Sequence, residues 1–298
     1  MLQAATAIAT FTALHLHALG APTGLAAESD DLSASNINIA SRPNTWNDLS
    51  AEASVAFASR HLTYGLVDNP DPVITNSASI KWKDFAFFSE TIFDTTRWGE
   101  LHGGYGNRRF KYQEIDFGPE YSHTFDSTFP IEIGIGYVYA HHPHVHPGHD
   151  YENPDTQFVN LSVGLPDVFL SPTVEYELDI GIERGAMYFH IGGTYAANIA
   201  DTLVVELGTG LGIGNPSRNR FDADIGRWGV KDIGVSLDMH WSPMKWLDIN
   251  PCIKAYEQID PALREAARHF IEGERRHSAQ VVGSIDLIVA ISGTSEQP

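Results

Sequence analysis

The sequence predicts an all-β protein, a single antiparallel up-and-down transmembrane β-barrel of about twelve strands. From about residue 52 to residue 292, runs of roughly 8–14 residues alternate apolar and polar side chains with a period of two. The connections also sort by length. Tight turns fall near 84–85, 126–129, 166–169, 198–201 and 243–245, and long loops fall at 95–112, 141–155, 214–229 and 259–278. The short connection at 181–185 keeps its place in the long series, and 68–71 reads as a brief first loop. Membrane barrels place short turns at one face and longer loops at the other, whereas a soluble sandwich has no reason to sort loops by end. Finally, no stretch after the N-terminus reaches 18 apolar residues, so no transmembrane helix is expected, while alternation lets strands cross a bilayer unseen by hydropathy.

Residues 1–27 contain no Asp, Glu, Lys or Arg and are rich in Ala, Leu, Ile and Phe, which reads as an export signal with cleavage after Ala21 or Ala27. Its departures are the missing basic start and the histidines His15 and His17; a disordered tail is the alternative. Residues 28–50 are polar and aperiodic and read as a flexible periplasmic lead-in or plug segment. The barrel is expected over 51–292, with 293–298 as a tail.

Within the barrel, Ile131, Ile133, Ile135, Tyr137 and Tyr139 alternate with Glu132, Gly134, Gly136 and Val138. Val174, Tyr176, Leu178 and Ile180 alternate with Glu175, Glu177 and Asp179. Leu203, Val205, Leu207 and Leu211 alternate with Val204, Glu206, Gly208 and Gly210, and Ile233, Val235, Leu237, Met239 and Trp241 with Gly234, Ser236, Asp238 and His240. Ile285, Leu287, Val289 and Ile291 alternate with Ser284, Asp286, Ile288 and Ala290. Successive strand side chains point to opposite faces, so one face is apolar and the other carries carboxylates, glycines and hydroxyls. In a membrane barrel the apolar face meets lipid and the polar face lines the interior. Tyr64, Trp82, Phe85, Tyr112, Phe125, Phe129, Tyr139, Phe169, Trp241, Trp246 and Tyr256 fall near strand ends, where interfacial aromatic girdles form. Twelve strands put both termini on one side, the periplasm, with the long loops outward.

The segment SVAFASRHLTYGLVDNPDPVITNSASIKW reads as a first strand, a Tyr-Gly near its outer end, a short Asp/Pro loop and a returning strand. In this pattern and in its overall architecture the chain resembles the small porin and putative-porin barrels of Gram-negative outer membranes. Those barrels often end on an aromatic residue, whereas here QVVGSIDLIVAIS is followed by GTSEQP. The resemblance implies an outer-membrane channel without a cofactor.

Net charge is −19. The predicted inward face carries Glu114, Asp116, Glu120, Glu132, Glu175, Glu177, Asp179, Glu206, Asp238, Asp248 and Asp286, against Arg60, Lys81, Lys83 and Lys254, with His190 and His240. An open lumen lined in this way concentrates cations. The alternative is that the charges pair into a polar plug, for which a barrel this narrow has room. His141, His142, His144, His146, His149 and Asp150 crowd one outer loop. His142, His144, His146 and His149 are the candidate metal ligands, with a solvated polar loop as the alternative. In 259–278 a helix is expected, with Asp260 as cap, Pro261 at the first position and Leu263, Ala267, Phe270 and Ile271 on one face. Arg264, Arg268, Arg275 and Arg276 make it a basic outer patch suited to lipopolysaccharide phosphates, or equally a solvated helix of mixed charge.

Enzymatic signatures are missing. There is no GxSxG, HExxH or P-loop, and the adjacent Ser122 and His123 point to opposite faces of a strand. The lone Cys252 excludes an internal disulfide and reads as a small strand residue. The acidic charge excludes nucleic acid as a partner. The expected partners are outer-membrane lipid and lipopolysaccharide, and small polar solutes or cations. The function expected is passive, cation-biased passage; the alternatives are a plugged barrel with a structural, adhesive or ligand- or metal-binding role in its outer loops and, third, a hydrolase at the outer rim.

Overall fold

The computed structural model describes residues 49–63, 66–69, 71–95, 111–143, 155–269 and 279–292. Its strands are β1 (Leu49–Ala58), β2 (His61–Thr63), β3 (Leu66–Asn69), β4 (Val73–Trp82), β5 (Phe85–Asp94), β6 (Lys111–Phe125) and β7 (Ile131–His141). They continue with β8 (Thr156–Gly164), β9 (Thr173–Asp179), β10 (Met187–Ala200), β11 (Leu203–Gly214), β12 (Gly229–Met244), β13 (Leu247–Gln258) and β14 (Ala279–Ser292). Two short helices sit in outer connections: α1 (Pro216–Ala223) between β11 and β12, and α2 (Pro261–His269) between β13 and β14.

β1 and β4 to β14 form one closed barrel of twelve strands. Every neighbour pair is antiparallel, and the seam closes between β1 and β14 with Val55 opposite Leu287 and Ala56 opposite Asp286. Closure leaves no strand edge, which is what a sheet needs in order to cross hydrocarbon.

The register sorts side chains as their alternation requires. Val55, Phe57, Leu207, Leu237, Ile253 and Ile285 point outward and are each more than 40% exposed. On the opposite face Glu114, Asp116 and Asn160 are 1–2% exposed. This protein exposes its oil and buries its charge, the reverse of a soluble domain. A continuous apolar surface of this extent has no place in water.

Three features differ from the sequence expectation. The first strand stops at Ala58, and His61–Thr63 pairs with Leu66–Asn69 in a separate two-stranded sheet, so the first outer connection spans 59–72 rather than 68–71. β2 keeps the alternation that made it look continuous with β1, but its partner is β3. The second difference is α1, where only a loop is expected over 214–229. The Asn215 side chain accepts from the Arg218 N–H, and Pro216 follows it, a capped helix start. The third is a pair of bulges. Ile92 pairs with Glu114 but Phe93 with Tyr112, leaving Gln113 as an extra residue. Gly212 pairs with Asp232 but Ile213 with Val230, leaving Lys231 extra. Each bulge buries two consecutive polar residues, Gln113 with Glu114 and Lys231 with Asp232.

The helix expected in 259–278 forms with the anticipated cap. The Asp260 Oδ1 accepts from the Ala262 N–H at 2.8 Å, and Leu263 is buried at 1% exposure. Ala267 lies in α2, and Phe270 and Ile271 lie outside the described residues.

Candidate functional site

The candidate site is the inner face of the barrel. Strand parity puts Glu114, Asp116 and Glu120 (β6), Glu132 (β7), Glu175, Glu177 and Asp179 (β9) on this face. His190 (β10), Glu206 (β11), Asp238 and His240 (β12), Lys254 (β13) and Lys81 (β4) join them. Asp248 and Asp286 share it. Arg60, just past β1, donates from Nη1 to Gln280 Oε1 at 2.8 Å. Lys83 does not join them. It sits in the tight β4–β5 turn with φ 56°, its ammonium 5.3 Å from the centre of the Trp82 ring.

The outer end of the barrel is packed. α1 places Arg218, fully buried, with Nη2 3.2 Å from Glu177 Oε1. Asn219, also buried, donates to the carbonyls of Gly214 and Arg227. On β9, Asp179 accepts from the Thr156 hydroxyl at 3.0 Å and the Gly181 N–H at 2.7 Å. Val73, Ile92, Ala140 and Phe158 fill the same level, each at 1% exposure. Burial of Glu177 and Asp179 is offset by the Arg218 guanidinium, the Thr156 hydroxyl and the Gly181 N–H that meet them. α1 and α2 contact one another, and the connections that hold them are tied by Arg227, whose Nη2 lies 2.8 Å from both oxygens of Asp260.

Below this level the inner face keeps partial exposure at Glu52, Lys81, Glu132, Glu206, Asp238, His240 and Asp248. One wall is almost bare. Gly192 on β10, Gly208, Gly210, Gly212 and Gly214 on β11, and Gly234 on β12 all face inward. Rings from neighbouring strands occupy space that these glycines leave. A Cβ on Gly210 would overlap the His190 ring, and one on Gly212 the Tyr188 hydroxyl. A Cβ on Gly234 would sit 2.7 Å from the Tyr256 ring. The same contacts hold His190 Nδ1 at 3.5 Å from Glu175 Oε2 and the Tyr188 hydroxyl at 3.2 Å from Asp232 Oδ2. Tyr256 is therefore an inner-face residue and not a girdle aromatic.

The expected girdle is present at the periplasmic end, where Trp82, Phe85, Phe125, Phe129, Phe169, Trp241 and Trp246 are exposed beside the short turns. Tyr112 is exposed at the outer end, and Tyr139 reaches the Asp155 carboxylate at 2.7 Å. Tyr64 lies outside the described residues.

The histidine loop is described only at its base. His142 turns inward, with Nε2 3.5 Å from Glu114 Oε1 and both side chains 1% exposed. His144, His146 and His149 lie outside the described residues, and among the described ones no cluster of three or more His, Cys, Asp or Glu side chains has metal-holding geometry. Asp155 closes the base of this loop, accepting from the His141 ring at 2.9 Å and the His142 N–H at 3.0 Å. Burial raises the Asp155 carboxyl, but these bonds and the Tyr139 hydroxyl outweigh it and hold the group below the ordinary 3.8. The basic patch is reduced at its first member. Arg264 folds back to donate to the carbonyls of Gln258 and Ile259. The side chain of Arg268, and Arg275 and Arg276 altogether, lie outside the described residues. Ser122 and His123 occupy opposite faces of β6, and His123 Nδ1 is 2.8 Å from Asp84 Oδ2.

Polar residues that sequence selection missed also face inward: Glu52, Glu90, Asp94 and Asp232 by parity, Gln113 and Lys231 by the bulges, and Arg218 through α1. In β5 the inner residues Phe88 and Ile92 are apolar, which blurs the alternation that would have exposed Glu90.

No family model matches the chain, and no curated protein matches it. Among solved structures, the NanC porin matches 80% of this chain and 98% of its own at 9% identity and a TM-score of 0.47. An outer-membrane channel from Pseudomonas putida F1 matches 81% and 95% at 6% identity and 0.44. OmpF of Salmonella typhi matches 82% and 97% at 5% identity and 0.35. Similarity this loose compares architecture alone, and the membrane assignment stands on the chain's own geometry. An even-stranded closed barrel with an apolar exterior, an aromatic girdle and short turns at one end is a protein of the bacterial outer membrane.

Proposed function

We propose that the barrel is a porin-like channel for passive passage of ions or small polar solutes, biased toward cations. The observation that carries this reading is the partly exposed acidic inner face over the periplasmic part of the barrel, where Glu52, Glu132, Glu206, Asp238 and Asp248 outnumber Lys81 and Lys254. A low-dielectric wall bearing one excess sign of charge focuses the field and enriches the opposite counter-ion. The solutes are small, because the inner face of a twelve-stranded barrel is largely occupied by its own side chains.

Proteoliposome swelling tests the reading. Vesicles carrying the refolded protein should swell in isosmotic solutions of small cationic or neutral solutes and more slowly in anionic ones. Vesicles that stay unswollen in all of them contradict it.

A second reading has its own observation. Arg218 of α1 and Leu263 of α2 are buried at the outer end, so the two helices narrow the mouth. If they close it, the barrel is a plugged scaffold whose outer loops carry the function, including contact with lipopolysaccharide. Shortening both helical connections, by removing 216–223 and 261–269, then turns a silent barrel into a conducting one. For the channel reading the same deletions change only the size of an existing conductance.

A further inference from the structure

On the wall formed by β11 to β14, Glu206 stands opposite Asp238, Asp238 opposite Cys252, and Asp286 opposite Asn250, all on the inner face. Lys254 occupies the next inward position of β13 beyond Cys252, opposite Ser236. Cys252, one inward step away on β13, faces Asp238, which in turn faces Glu206, and Asn250, two inward steps away, faces Asp286. Among the described inner-face residues of these four strands on the periplasmic side of the Lys231 bulge, Lys254 is the one Lys or Arg. It keeps partial exposure. The facing positions on β11 and β12 are small, Gly208, Gly210, Gly234 and Ser236, and the Tyr256 ring, next inward on β13, lies over Gly234. The Asp238 Oδ2 is buried there without a hydrogen-bond partner.

We infer that Lys254 sets the charge selectivity of this passage, acting as a tethered counter-cation for Glu206, Asp238 and Asp286. The inference rests on the channel reading. A lysine ammonium is a compact point charge on a flexible stem, so it follows the carboxylates without fixed bidentate geometry and occupies the place a free cation would take. It thereby caps the attraction of this stretch for passing cations. Removing its charge leaves three carboxylates facing the lumen, and the partitioning of free cations rises.

The test is the reversal potential in planar bilayers under a salt gradient, measured on the full chain and on K254M and K254Q. Two neutral variants guard against one misfolding, and folding of each is checked by heat-modifiable gel mobility. Both should raise the cation-to-anion permeability ratio by about five-fold, the Boltzmann factor of one unit charge at ~4 Å in water. K254R should keep the parent ratio, and K254M combined with Glu206→Gln should fall back toward it. A conducting parent whose ratio is unchanged in both neutral variants overturns the role of Lys254 alone. A parent that inserts but does not conduct overturns the channel reading and this inference with it.

Discussion

Single atoms decide several positions in this wall. At Gly118 on β6 an added Cβ would overlap the Tyr137 carbonyl oxygen of β7, backbone that has nowhere to move. At Gly283 on β14 nothing lies within 4 Å of the same added atom. Gly118→Ala should therefore lower unfolding stability by about 3 kcal/mol, while Gly283→Ala should stay within ~0.5 kcal/mol of the parent. Urea-unfolding midpoints in a single lipid system check the pair. Asp155 offers a pH test at the same scale. Its folded carboxyl lies below 3.8, so the stability it gives the base of the histidine loop is present above that value and lost as pH falls through its lower, folded value. Protection of the His142 amide, its exchange rate relative to the intrinsic rate at the same pH, should be high at neutral pH and be lost only in strong acid. Asp155→Asn should lower that protection already at neutral pH.

Among the elements, the two outer helices differ in what holds them. The Arg227–Asp260 pair joins their connections, but Arg227 is 58% exposed on its side chain, and exposed ion pairs contribute little. Arg227→Ala should cost less than ~1 kcal/mol in the local stability of α2. Asp260→Ala also removes the helix cap and should cost about 1 kcal/mol more. Exchange protection of the α2 amides separates the two outcomes. These helices also show what the sequence made legible. Asp260-Pro261 before an amphipathic run announces α2. Asn215-Pro216 carries an equally good start for α1, but the segment is too polar and too short for a periodic signal, and its burial comes from Arg218 meeting Glu177 on a strand far away in sequence. The bulges were hidden for a related reason. Strict period two assigns Gln113 and Lys231 to the lipid face, where a polar residue is out of place. That conflict was the available clue, and only pairing with the neighbouring strand resolves it. β2 misled in the opposite sense, since its alternation is real but its hydrogen-bond partner is β3.

For the whole molecule, strand count, loop ordering and face assignment were readable because one periodicity repeats along the chain, and parity then carried the inner-face carboxylates with it. The packing of the outer end was not readable, since it depends on which loops fold inward. The inside-out distribution makes a sharp prediction. Leu237→Arg on the lipid face should destabilise the inserted barrel by ~2–4 kcal/mol if it sits near mid-membrane, whereas Thr194→Arg on the inner face should cost well under that. Reversible folding into bilayers measures both. Single channels of the refolded full chain, recorded in a planar bilayer under a salt gradient, report whether the acidic lumen is open. Discrete conductance steps with a cation-selective reversal potential are predicted. An inserted protein that gives no steps, or steps that favour anions, rules out an open acidic lumen.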